Sequence, residues 1–204
     1  MTLQDITVGQ FQEIWKVNKS EIEPEEKMTE MVSILSGKTT NEVDSMPVLE
    51  FNKLAVQIKE MLSQPLPNVE TPKMLCGYKM CYEPGKLNRG QYVTLMHFVK
   101  GDVVENCHYI LATLAYDPVT NKHHAERHKE IAEELQEAKI VDVYAATVFF
   151  CDLFKASMRS LQSYLVSELL TKGATPKMAV EAITTLMDDL DGYLMPSKLQ
   201  TSKV

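Results

Sequence analysis

The sequence predicts an α-rich α+β fold, a helical bundle with a small central β-hairpin. Three observations carry that expectation. Apolar residues recur at helical spacing through most of the 204 residues. Pairs able to cap helices punctuate those runs. One short stretch, KMLCGYKMCY from Lys73 to Tyr82, breaks the pattern with aromatic and apolar residues around Gly77.

Thr7 and Gln10 form a capping box, followed by Val8, Phe11, Ile14 and Trp15 on one helical face. A second helix is expected from Pro24, with Met28, Met31, Val32 and Leu35 inward, ending at Gly37 in the left-handed conformation. Thr39 and Glu42 cap a very short helix. After Ser45, with Pro47 in the first turn, PVLEFNKLAVQIKEMLSQ continues helically until PLPNVETP, Pro65 to Pro72, marks the clearest internal boundary. Beyond the hairpin, Asn88 and Gln91 cap a helix lined by Tyr92, Leu95, Met96 and Val99 that stops at Gly101. Val103, Val104, Cys107, Ile110, Leu111 and Leu114 line the next, which Asp117-Pro118 breaks.

HHAERHKEIAEELQEAK, His123 to Lys139, is mostly polar, with Ile131 and Leu135 as its main contact residues. It reads as a solvated or partner-facing helix. VYAATVFFCDLFKASMRSLQSYLVSELL is apolar almost all round in its first half and reads as the central helix. Thr175 caps a last helix with Pro176 at its first position. The expected organisation is an N-terminal helical region over 1–64, hairpin and helical core over 73–172, and a C-terminal helix and tail over 173–204, packed as one compact domain.

Composition narrows the function. A formal charge of −7 argues against nucleic-acid binding, which needs clustered Lys and Arg. No run of 18 apolar residues suggests a membrane span. The opening MTLQDITVGQ lacks the charged and apolar regions of a secretory leader. Cys76, Cys81, Cys107 and Cys151 are expected to be reduced and mostly buried, as in a cytoplasm.

Gly37-Lys38-Thr39-Thr40 resembles the end of a phosphate-binding loop, but that loop needs a glycine five positions earlier, where Val32 stands, and a preceding strand. It reads instead as a helix terminator followed by capping threonines. His124 and His128 share zinc-binding spacing, yet Glu126 falls one position too late for a zincin, so a metal site built on His123, His124 and His128 is the distant alternative. Cys76 and Cys81 lack a second ligand pair. Asp188, Asp189 and Asp191 lack the alternation of a calcium loop. Tyr144, Phe149, Phe150 and Phe154 read as core. No catalytic residue, metal ligand or cofactor is assigned, and an enzyme is not expected.

EMVSILSGKTTNEVDSMPVLEFNKL, KMLCGYKMCYEPGKLNRGQYVTLMHFVKGD, YILATLAYDPVTNKH and VYAATVFFCDLFKASMRSLQSYL resemble, in this order, segments of tailed-bacteriophage tail, neck and tail-assembly proteins such as those of crAss-like phages of Bacteroidetes. The likeness covers about residues 6 to 170, departing at Cys76 and Cys81 and in an extra capped helix after Lys172. It implies a virion structural protein of the tail or neck, present in multiple copies of a symmetric assembly and docked on larger tail proteins through helix faces. Localisation would be the virion, and the host cytoplasm during assembly. The alternative it implies is a tail-assembly chaperone absent from the mature virion. Candidate partner contacts are Ile131 and Leu135 on the polar helix, and Met178, Ile183, Leu186 and Met187 on the last one.

Overall fold

Side chains that satisfy the free N–H groups of a first helical turn decide where the helices begin. In the computed structural model, which describes residues 2–63, 70–178 and 181, α1 spans Val8–Lys19. Its Gln10 N–H donates to Thr7 Oγ1 at 3.2 Å, and Thr7 N–H donates back to Gln10 Oε1 at 3.1 Å. α2, Pro24–Ser36, starts on a proline that needs no partner for its missing N–H. It ends at Gly37 with φ +67°. The same reciprocal pair recurs between Thr39 and Glu42 ahead of α3, Thr40–Asp44, and between Asn88 and Gln91 ahead of α5, Arg89–Val99. α4 runs Val48–Ser63. α6, Val103–Leu114, starts on Asp102, whose Oδ1 accepts from Val104 N–H at 2.8 Å and Glu105 N–H at 3.2 Å. α7 is His128–Gln136 and α8 is the 32-residue Ile140–Thr171. Single 3-10 turns occupy Leu3–Asp5, Pro84–Lys86 and Ala125–Arg127.

The expected hairpin is present and carries one strand more. β1, Met74–Leu75, and β2, Tyr78–Met80, pair antiparallel with Leu75 opposite Tyr78. β3, Ala115–Tyr116, adds to β2 with Met80 opposite Ala115, giving the order β1-β2-β3. β3 follows α6 without a loop because the last carbonyls of α6 find partners elsewhere. Cys81 N–H donates to Leu114 O at 2.9 Å, and Gln91 Nε2 donates to Thr113 O at 2.8 Å. The β1–β2 turn has φ of +46° at Cys76 and +82° at Gly77, the sign pattern of a type I′ turn. A β-carbon at the first of these positions is strained, and asparagine tolerates it best. Cys76→Asn is therefore expected to raise stability by roughly 0.5–1 kcal/mol, read as a higher urea midpoint at unchanged slope.

Two expectations about the core need correcting. The centre of the bundle is α6, not α8: Ile110, Leu111, Ala112 and Leu114 are all fully enclosed, with α5, α7, α8 and α1 packed around them. α8 contributes Val141, Val143, Ala146, Phe150, Cys151 and Phe154, but no described side chain of α8 beyond Phe154 is buried. The second correction concerns α7. Its polar composition suggested a solvated or partner-facing helix, but Ile131, Ala132 and Leu135 form a narrow stripe pressed against α6 and α1. Three buried apolar residues in nine suffice when Lys129, Glu130, Glu133 and Glu134 take the solvent side.

The chain's start is tied to this layer by backbone. Val8 N–H donates to Ala138 O at 2.9 Å and Ile140 N–H to Ile6 O at 3.0 Å, making a bridge from Thr7 to Lys139. α2 packs on α1 and carries α3 and α4, and α1 in turn packs on α6, α7 and α8. One buried cluster runs from Leu3 through Met61 to Phe154, so the regions 1–64 and 73–172 share a core. The expected boundary Pro65–Pro72 falls largely outside the described residues.

Candidate functional site

Two kinds of feature stand out from packing alone: a buried polar seam and apolar residues left on outer helix faces. The seam lies between α1, α6 and α7. Gln12 occupies the inward position one turn after Val8, where an apolar residue is the norm. Its Nε2 donates to the carbonyls of Val104 at 2.9 Å and Glu105 at 3.0 Å, and lies 2.8 Å from His108 Nδ1. Gln136 Nε2 on α7 reaches Gln12 Oε1 and His108 Nε2, each at 3.3 Å. Burial drives the His108 pKa down to about 4 and the neighbouring Cys107 thiol up to about 12, so both are neutral near pH 7. At the other end of α1, Trp15 Nε1 donates to Asp102 Oδ2 at 3.1 Å. Lys19 pairs with the same carboxylate and lies over the Trp15 ring. Its bond is a leading reason the Asp102 pKa falls despite burial.

The three clustered histidines serve three separate ends. His123 Nδ1 lies 3.1 Å from Ala115 O, beside the sheet. His124 Nδ1 meets Glu126 Oε1 at 2.9 Å on the surface. His128 turns inward, with Nε2 3.0 Å from Thr113 Oγ1 and 3.1 Å from Tyr109 O, and its ring stacks on Phe98. Among the described residues, no group of three His, Cys, Asp or Glu side chains is placed to hold a metal ion. The Gly37-Lys38-Thr39-Thr40 segment turns between α2 and α3, where Lys38 Nζ meets Glu50 Oε1 at 3.4 Å and Thr39 serves as a cap.

Cys107 and Cys151 are buried as expected, whereas Cys76 is exposed at the hairpin turn and Cys81 half-buried. The candidate partner contacts separate sharply. Ile131 and Leu135 are only 2% and 0% exposed, so they belong to the chain's own core and cannot meet a partner. Met178 is 61% exposed, and its N–H donates to Thr175 Oγ1 at 3.3 Å, the cap expected there. Ile183, Leu186 and Met187 lie outside the described residues.

Apolar surface appears instead on other helices, and it includes Phe149, which the sequence suggested as core. Val48, Leu49 and Val56 stand out from α4, Leu49 being 85% exposed, while Ala55, Ile58 and Met61 fill its inner face. Val93 projects from α5, and Phe149, Tyr164 and Leu170 from α8. Phe149 also meets Tyr82 edge-on at 5.4 Å. Among the described residues, no helix is long and apolar enough to cross a membrane. No protein-family model, curated protein or solved structure matches the chain.

Proposed function

We propose that this chain is a structural component of a bacteriophage tail or neck that binds neighbouring tail proteins by docking helix faces. The observation that carries the reading is the contrast between inside and outside. Among the described residues every buried side-chain polar atom has a hydrogen-bond partner, while large apolar side chains stand exposed on the outer faces of α4, α5 and α8. Exposed apolar residues grouped on helices around an interior whose polar groups are satisfied suit burial against another protein. The order of segments resembling tail and neck proteins supplies the class of partner. Metals and nucleic acid have no part in the reading.

Quantitative mass spectrometry on purified particles from the source tests it. A fixed copy number per particle, in a small multiple matching tail or neck symmetry, is the expected result. Peptides confined to the lysate and missing from particles would overturn the virion assignment and favour a tail-assembly chaperone.

A further inference from the structure

His108 lies where α1, α6 and α7 meet, and both of its ring nitrogens face amide nitrogens, Gln12 Nε2 at 2.8 Å and Gln136 Nε2 at 3.3 Å. The Gln12 amide is not free to turn over and offer its oxygen. Its nitrogen is fixed by the Val104 and Glu105 carbonyls, and its oxygen accepts from Gln136. A neutral ring with Nδ1 as acceptor matches the closer amide and leaves its single N–H, on Nε2, facing Gln136 at the longer distance of 3.3 Å. An imidazolium carries N–H at both positions, so each would point at another N–H donor.

The surroundings do not relieve that conflict. Lys16 on α1 and His128 at the start of α7 act on the ring, and both disfavour a further positive charge. Cys107 stays a neutral thiol, and the Tyr109 ring packs 4.1 Å from the imidazole by centroid. The Asp102 and Glu105 carboxylates at the start of α6 are engaged by Lys19.

Protonation therefore works against the packing of these three helices, and of the two that flank α6, α1 is the one it holds less. α6 packs far more extensively on α7 than on α1. α1 is also the joint through which α2, α3 and α4 pack onto the rest of the bundle. We propose that His108 is an acid-sensitive latch whose protonation releases α1, and with it the N-terminal helical layer, from α6 and α7. The latch is independent of the proposed virion role.

The sign follows from linkage. An exposed ring takes up its proton near 6.5, the enclosed one only near about 4. The latched state is favoured fully above pH 6.5 and loses ground as pH falls from there towards 4. Opening should become roughly thirtyfold more frequent between pH 7.5 and pH 5.

Hydrogen–deuterium exchange on the full chain, corrected for the intrinsic pH dependence of exchange, reads that ratio directly. Protection of the α1 amides should fall roughly thirtyfold between those pH values, and remain below that of the buried half of α8 at both. His108→Gln should remove most of the change. His108→Leu, which fills the site without a titrating group, takes its place if the first variant does not fold. Unchanged α1 protection in the wild type would overturn the latch. So would a full thirtyfold change persisting in the variant, or α1 and α8 amides sharing one protection value at each pH, since opening would then be global.

Discussion

Leu135→Ala is expected to lower the free energy of unfolding by about 2–5 kcal/mol, a large share of the roughly 5–15 kcal/mol typical of folded chains. The side chain is wholly enclosed at the inner stripe of α7, where that helix meets α6 and α1. Truncation removes its transfer free energy and leaves a cavity. Collapse into that cavity is resisted because the neighbouring part of α6 is itself fully buried. The measurement is a urea titration followed by circular dichroism, with Leu49→Ala as its counterpart. Leu49 projects from α4 into solvent, so its truncation should change stability by no more than about 0.5 kcal/mol. A stable Leu135→Ala protein would return α7 to the role of a partner-facing helix. An unstable Leu49→Ala protein would show the outer face of α4 to be packed in solution.

Helix ends were legible in the sequence because they are local. Thr7 with Gln10, Thr39 with Glu42 and Asn88 with Gln91 each close within one turn, and each cap forms as read. Gly37 and the Cys76-Gly77 turn likewise announce themselves through backbone conformation. β3 was not legible. Ala115 and Tyr116 continue an apolar helical run, and what makes them a strand is pairing with Lys79 and Met80, more than thirty residues earlier.

The assignment of helix faces failed for a related reason. Hydrophobic periodicity shows that a helix has an apolar side but not what covers it. α7 looked solvent-facing because Ile131 and Leu135 are few, yet few were enough. α4 carries many apolar residues, and Val48, Leu49 and Val56 exceed what its inner face can use. The polar seam left a usable signal that went unread: Gln12 and His108 each stand on the apolar face of a helix, between residues that are buried. A polar side chain in such a place needs a partner. Periodicity alone does not say which helix provides it.

Gln91 shows how a local signal can conceal a long-range one, and Gln91→Leu is expected to cost about 2–3 kcal/mol. Read as a cap, Gln91 accepts from Asn88 N–H at 3.2 Å and nothing more is asked of it. In the fold its Nε2 also donates to Thr113 O at 2.8 Å, and its Oε1 accepts from the Tyr116 hydroxyl at 3.2 Å. Thr113 O belongs to the last turn of α6, where carbonyls have no partner within the helix, and the residue is fully buried. Leucine matches the side chain in size but leaves that carbonyl unsatisfied at the point where α6 becomes β3. Asn88→Ala removes the cap without touching the bridge and should cost only about 1 kcal/mol. The comparison of urea midpoints is therefore decisive. Equal losses would reduce Gln91 to a cap. A clearly larger loss in Gln91→Leu would make this one amide the link that joins the start of α5 to the end of α6, and so holds the sheet against the bundle.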